Sequence, residues 1–371
     1  MWNKIWAFVK GDVVLTVSAL LAVASCFLTP PDKEYIGYLN AQTLIVLFCF
    51  MAVMAGLKEM GAFQRLGEAL LHRLSRERTL AAVLVGLCFF GSMVITNDVA
   101  LITFVPLAAL VLEMAGRRSS LCLTVTLMTI AANLGSILTP IGNPQNLYLF
   151  AVSGMSLGEF FAAMGPYSLL AAVLLALAVW FGYKPVPIQV ELEGAAPPLR
   201  RGELAFYAVL FCLCLLTVAK VLSCWALLAL VVLAVLLKDR RLLLQVDYSL
   251  LATFVFLFIF VGNMGRFGPF RDLVQSLVEG RELVTAAALS QFISNVPAAL
   301  LLSGFTDQWT ALLAGVNIGG LGTLIASMAS LISYKQVALR APEQKGRYLG
   351  VFTLWNVGFL AALLALARVI R

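Results

Sequence analysis

Apolar residues come in long blocks along this chain, separated by short polar stretches. Continuous apolar spans lie near 11–29, 39–57, 165–183, 203–221, 223–237, 248–265 and 346–370. Runs of about 17–20 apolar residues read as transmembrane helices, because a helix satisfies its own backbone groups in hydrocarbon. Two regions are longer than one span. Residues 79–116 hold two apolar arms around Thr96-Asn97-Asp98, and residues 120–152 hold two around Thr139-Pro140-Ile141-Gly142-Asn143-Pro144. Residues 281–304 and 309–339 carry interruptions at corresponding places. Polar loops occupy 58–78, 184–202 and 238–247, and the Pro-rich, charged loop 184–202 divides the chain into halves. The pattern predicts an all-α polytopic membrane protein, one transmembrane domain over 1–371.

The halves repeat each other in three blocks, taken in the same order. Residues 54–66 resemble 261–273, each a span ending in a Gly-rich turn before a short amphipathic segment. Residues 95–104 resemble 293–302, which aligns Thr96-Asn97 with Ser294-Asn295. Residues 132–147 resemble 316–331, so that Asn133, Gly135, Thr139 and Asn143 fall on Asn317, Gly319, Thr323 and Ser327. Repeat one is expected over about 11–183, a linker and linking helix over about 184–221, and repeat two over about 223–371. If 79–116 and 281–304 are re-entrant hairpins, there are nine crossings and the extra span at 203–221 inverts the second repeat. Inverted repeats with Gly/Pro-interrupted segments at matching positions point to a secondary transporter.

The interruptions carry the chemistry. Pro140 and Pro144 remove backbone donors, so 139–144 is expected to be an unwound link between two half-helices. Residues 319–327 reach the same end with Gly319, Gly320 and Gly322. A broken helix turns a partly positive N-terminus and a partly negative C-terminus toward the gap, the first suited to an oxyanion and the second to a cation. Candidate substrate-binding residues are Thr96, Asn97, Thr139, Pro140, Gly142, Asn143, Ser294, Asn295, Thr323 and Ser327. Candidate ion-coupling residues are Asp98, Asn97, Asn295, Asn133 and Asn317. Asp98 is the sharpest of these, since a mid-membrane carboxyl costs about 2.5–3.5 kcal/mol on insertion scales and needs a proton or a partner. The second repeat has Val296 in its place, and no Lys or Arg lies in either tip or break.

Charge and composition narrow the alternatives. The chain has 371 residues, 61% of them hydrophobic and 12% charged, which leaves no room for a large soluble domain. Its net charge of +7 reflects placement, because 19 of the 26 Lys and Arg, Arg117, Arg118 and Lys238 among them, share the side of the N-terminus. Cytoplasmic loops gather these residues, so the N-terminus is expected inside and the C-terminus outside, with no nucleic-acid partner. The seven cysteines fall in apolar spans without metal-ligand spacing and read as small buried hydrophobes. His72, the only histidine, reads as surface. The first 26 residues imitate a signal peptide but read as a retained first helix. Lys58, Glu59, Asn263 and Arg266 stand at span ends and read as interface anchors. The stretches 62–76 and 268–279 read as interfacial helices.

The motifs at 96–108, 132–146 and 294–302 resemble those of the ion transporter superfamily. The branch they resemble is the arsenite permease and sodium–proton antiporter-like group of anion permeases, with a citrate-transporter-like domain. The likeness runs over about 40–365. It implies inverted repeats, two re-entrant hairpins with Asn at their tips, two unwound helices around one site, elevator-like motion and a homodimer. In the family's divalent-anion symporters both tips read Ser-Asn-Thr and bind substrate carboxylate and Na+. Carried across, the tip residues are Thr96, Asn97, Asp98, Ser294 and Asn295, while Asp98 and Val296 depart from that pattern. The expected function is ion-coupled transport of a small anion or oxyanion across the plasma (inner) membrane, with H+ or Na+ as coupling cation and Na+ seated at the hairpin tips. Neither an organic cofactor nor a structural metal is expected. Arsenite or antimonite efflux, sodium–proton antiport and, from a different class, a passive anion channel are the alternatives. A membrane enzyme would need a catalytic dyad or metal cluster, which the sequence does not offer.

Overall fold

A computed structural model describes residues 13–62, 65, 74–188 and 200–370. His72, the first 12 residues and most of the stretch 62–76 lie outside the described residues. Among the described residues the structure is helical, and its only β pairing is one bridge between Arg76 and Pro187. Among the described residues eight helices are long and apolar enough to cross a membrane.

The first half runs α1 (Val13–Leu28), α2 (Ala41–Glu59), α3 (Glu77–Ile95), α4 (Asn97–Met114), α5 (Leu121–Gly135), α6 (Pro144–Ser153) and α7 (Leu157–Gly182). The starts are set locally. Asn40 caps α2 by accepting from the Thr43 N–H, and Ser156 with Glu159 forms a capping box on α7. α8 (Arg201–Val218) links the halves. The second half runs α9 (Cys224–Asp239), α10 (Tyr248–Arg266), α11 (Gly268–Val278), α12 (Glu282–Ile293), α13 (Asn295–Leu302), α14 (Trp309–Ile318), α15 (Met328–Arg340) and α16 (Lys345–Ile370).

Two groups of helices emerge from the packing. α1 lies along α10, and α2 packs on α8 and α9. The inner group is built twice on one plan: α3 packs on α4 and α5, as α12 packs on α13 and α14. The halves then exchange partners, since α4 packs on α15 and α13 on α6. α5 is buried along nearly its whole length and forms the centre. Gly135 and Gly319, aligned by the sequence repeat, allow the close approach on each side. A Cβ at Gly135 would lie 2.0 Å from the Phe89 carbonyl oxygen, and one at Gly319 would lie 2.7 Å from the Ala287 Cα.

The two hairpins differ in reach. The arms of the first have 19 and 18 residues, each about 27 Å long and near the thickness of a bilayer core. The arms of the second have 12 and 8 residues and are too short to cross as straight helices. Other sequence expectations need correction. Asn263 is buried, donating to Ser25 Oγ at 2.9 Å, and is no interface anchor. Arg266 is engaged beside it by Asp32 at 2.7 Å and by the Tyr38 hydroxyl at 2.9 Å. That pairing holds the Asp32 carboxyl below the usual range. Of the cysteines, Cys49, Cys88, Cys122 and Cys214 are buried, Cys26 and Cys224 are half-buried, and Cys212 is exposed.

Candidate functional site

Each hairpin turns on one residue in a backbone region that glycine alone occupies readily. Thr96 has φ 69° and ψ 153°, and Ser294 has φ 73° and ψ 154°. Each turn is tied by its own main chain to a helix break. The Asn97 N–H donates to the Gly142 carbonyl at 3.1 Å, and the Asn295 N–H donates to the Ala326 carbonyl at 3.0 Å. Gly142 and Ala326 are equivalent in the repeat. A second tie is also doubled: the Thr139 hydroxyl donates to the Met93 carbonyl at 2.6 Å, and the Thr323 hydroxyl to the Gln291 carbonyl at 3.0 Å.

The breaks stand where Pro and Gly put them. After a short 3-10 turn at Ser136–Leu138, residues 139–143 are non-helical. Asn143 then caps α6, accepting from the Asn146 N–H at 3.0 Å. Pro144 opens α6, where its missing N–H costs nothing, so the unwound link is one residue shorter than expected. In the second half no helix covers residues 319–327. The freed carbonyls need donors, and each half finds them differently. Asn146 Nδ2 donates to the carbonyls of Ser136, Ile137 and Thr139 at 3.4, 3.3 and 3.2 Å. Gln291 Nε2, on the hairpin, donates to those of Gly319 and Leu321 at 2.8 and 2.9 Å, and its Oε1 accepts from the Thr323 N–H at 3.0 Å.

Two equivalent asparagines join the halves. Asn133 Oδ1 accepts from Asn97 Nδ2 at 3.2 Å and from Ser327 Oγ, across the repeat, at 3.0 Å. Asn317 Oδ1 accepts from Asn143 Nδ2 at 3.3 Å and from Gln145 Nε2 at 3.4 Å, both across the repeat. Its Nδ2 donates to Asn146 Oδ1 at 2.6 Å. A hydrogen-bonded chain therefore leads from the first tip through Asn97 and Asn133 to Ser327, whose covalent neighbour Ala326 holds the second tip. Asn133 Nδ2 is buried without a partner.

A cavity of about 430 Å³ opens on the first tip. Thr96, Asp98 and Asn143 line it from the inner group, and Lys58, Gln245 and Asp247 from the flanking elements. Asp98 Oδ1 is buried without a hydrogen-bond partner. Asp247 also borders a small cavity of about 20 Å³ beside Ser294, Val296 and Met328, so it lies next to both tips. Thr139, Pro140, Gly142 and Thr323 do not line the larger cavity. The two threonines and Gly142 hold the tips in place, and Thr323 is exposed. Lys58 is corrected from interface anchor to wall of the cavity; Glu59, exposed, accepts from Gln245 at 3.0 Å. Sequence reasoning also missed Gln145, Asn146 and Gln291. Their one signal was an amide side chain in an apolar run beside a break. Among the described residues no cluster of three or more His, Cys, Asp or Glu could hold a metal ion.

The model of the citrate transporter family matches residues 1–315. The chain is 33% identical over 297 residues to an uncharacterised transporter of Methanocaldococcus jannaschii, covering 80% of this chain and 81% of that one. It is 30% identical over 331 residues to the inner membrane protein YbiR of Escherichia coli, covering 88% of each. A silicon efflux transporter of Oryza sativa is 34% identical over 136 residues, which is 36% of this chain and 27% of that one.

Proposed function

The chain belongs to the citrate transporter family, and on that premise we propose that this membrane transporter is a secondary active carrier of a small anion or oxyanion. It couples transport to H+ or Na+ and moves by elevator-like alternating access. The two halves are inverted in the membrane, both hairpins are re-entrant, and two copies form a dimer. The excess of Lys and Arg beside the N-terminus supports a cytoplasmic N-terminus and an external C-terminus in the plasma membrane.

The observation that carries this reading is the doubling of the site. Two tips and two breaks, held by equivalent hydrogen bonds, meet through Asn133 and Asn317. A channel needs a continuous lined pore; this arrangement supplies one closed meeting point with a pocket on one side. Asp98 supports coupling, because its Oδ1 is buried without a partner and a carboxyl so placed calls for a proton or a cation. Thr96 and Asn143, which line the pocket with Asp98, supply neutral donors and acceptors for substrate or Na+. Among the described residues Lys58 is the one cation lining the pocket, and it supports an anionic substrate.

A second reading follows from the tips and breaks themselves. Their only charged side chain is acidic, so they suit an undissociated oxyacid such as arsenite or silicic acid. The likeness to a silicon efflux transporter supports it.

Counterflow in sealed vesicles tests both readings. Vesicles preloaded with unlabelled substrate are expected to accumulate labelled citrate, arsenite or silicic acid, with a dependence on an imposed pH or Na+ gradient. Large uncoupled conductance without counterflow would assign a passive channel instead. Lys58→Gln is expected to raise KM for an anion and leave a neutral oxyacid unaffected.

A further inference from the structure

Away from the tips, a groove of about 510 Å³ runs between α3 and α7 on the outer surface. Its floor is made of small residues, Ala82 and Gly86 from α3 and Ala172 and Ala176 from α7. A Cβ at Gly86 would meet nothing within 4 Å, so the floor is open. Phe90 and Trp180 form the walls and are 66% and 60% exposed. α7 exposes Leu169, Val173 and Leu177 along the same side, which in a spanning helix is the face turned to hydrocarbon.

One end of this apolar groove is cationic. The Arg78 guanidinium sits 4.5 Å from the centre of the Trp180 ring, and its Nε donates to the Tyr183 carbonyl at 2.9 Å. Lys184 follows Tyr183 and is exposed; Arg76, also exposed, is held against this loop by its bridge to Pro187. Glu77, the acidic residue between the two arginines, is turned away. It is buried, pairs with Arg117 at 3.4 Å and accepts from the Ser120 hydroxyl at 2.5 Å. Arg76, Arg78 and Lys184 make no ion pair among the described residues.

We propose that this groove is a binding site for an anionic phospholipid. One acyl chain lies on the Ala82–Gly86–Ala172–Ala176 floor, and the phosphate sits on Arg78 with Arg76 and Lys184 around it. In a bilayer this outer face, beside the exposed side of α7, is turned to lipid. The free guanidinium nitrogens of Arg78 match phosphate oxygens in a fork, and a tryptophan beside them stands where aromatic rings mark the headgroup level. Charge decides between occupants: a second copy of the chain would bring its own three cations to a cationic end, whereas an anionic headgroup neutralises them.

Native mass spectrometry of the purified full-length chain, in micelles doped with equal dioleoyl phosphatidylglycerol and dioleoyl phosphatidylcholine, tests this. The wild type is expected to retain phosphatidylglycerol preferentially. Arg78→Gln and Lys184→Gln are each expected to weaken that preference roughly fivefold. Gly86→Phe, which fills the floor from α3, is expected to abolish retention of both lipids, and Ala172→Phe repeats the test from α7 should the first variant misfold. Equal retention of the two lipids, or a preference unmoved by Arg78→Gln, overturns the proposal. So does a shift from dimer to monomer in the groove-filling variants with lipid retention intact, which would give the groove to a second copy.

Discussion

The two hairpin–break units share the backbone geometry of their turns and ties and differ in their side chains and in the length of their arms. Thr96 and Ser294 have φ within a few degrees of each other, and the main-chain ties at Gly142 and Ala326 agree to about a tenth of an ångström. Yet the first tip carries Asp98 where the second carries Val296. The first break is bent by prolines and held by Asn146 from its own half-helix; the second is loosened by glycines and held by Gln291 from the hairpin. The first hairpin has arms of 19 and 18 residues and the second of 12 and 8. Geometry is thus the common element of the two halves, while charge and donors are local solutions fitted to it.

The strongest test of that division is at the tips. Asp98→Asn is expected to reduce pH-gradient-driven uptake in vesicles to background and to flatten its pH dependence, while Val296→Ala stays within about twofold of wild type. Comparable losses from both would mean that the halves share the coupling chemistry. Next come the equivalent asparagines. Asn317→Ala strands donors or acceptors on Asn143, Gln145 and Asn146, at about 1–3 kcal/mol for each buried group left unpaired. Asn133→Ala strands those of Asn97 and Ser327 only. Thermal unfolding in detergent is expected to show the larger drop for Asn317→Ala.

A smaller contrast lies in the breaks. A Cβ at Gly142 would stand 2.1 Å from the Ser136 carbonyl oxygen, a backbone atom that cannot swing away. Gly142→Ala is expected to cost about 1–3 kcal/mol, although alanine already occupies the equivalent position 326. Ala326→Gly is expected to cost less than about 1 kcal/mol. The smallest effect concerns the strained turns. Ser294→Gly relieves a conformation worth of order 1 kcal/mol and is expected to raise the midpoint of unfolding slightly. Thr96→Gly and Ser294→Gly each also give up a hydroxyl contact at 3.5 Å, Thr96 Oγ1 accepting from the Val99 N–H and Ser294 Oγ donating to Asn295 Oδ1, so both gains are expected to be small.

Much of this architecture was legible in the sequence, for a physical reason. Proline and glycine inside an apolar run have few explanations other than a break, so 139–143 and 319–327 could be placed to within a residue. The aligned asparagines were visible because amides are rare in such runs. The ties were not visible. Thr139 and Thr323 looked like ligands, but a hydroxyl that reaches a carbonyl on another helix leaves no trace in one-dimensional spacing. Gln291 was passed over for the same reason: its partners Gly319 and Leu321 are acceptors only because the helix above them has ended. Lys58 was misplaced because a lysine at a span end usually snorkels, and only the convergence of α2 with residues 245–247 makes it part of a pocket. Asn263 was misread likewise, since its neighbours on α1 are more than 230 residues away in the chain.

The tips are fastened through peptide groups, and every amino acid but proline brings the same N–H to position 97 or 295. The side chains at the two turns can therefore change without unpicking the joint that positions them. An acid at one turn and a valine at its twin hang on the same joint.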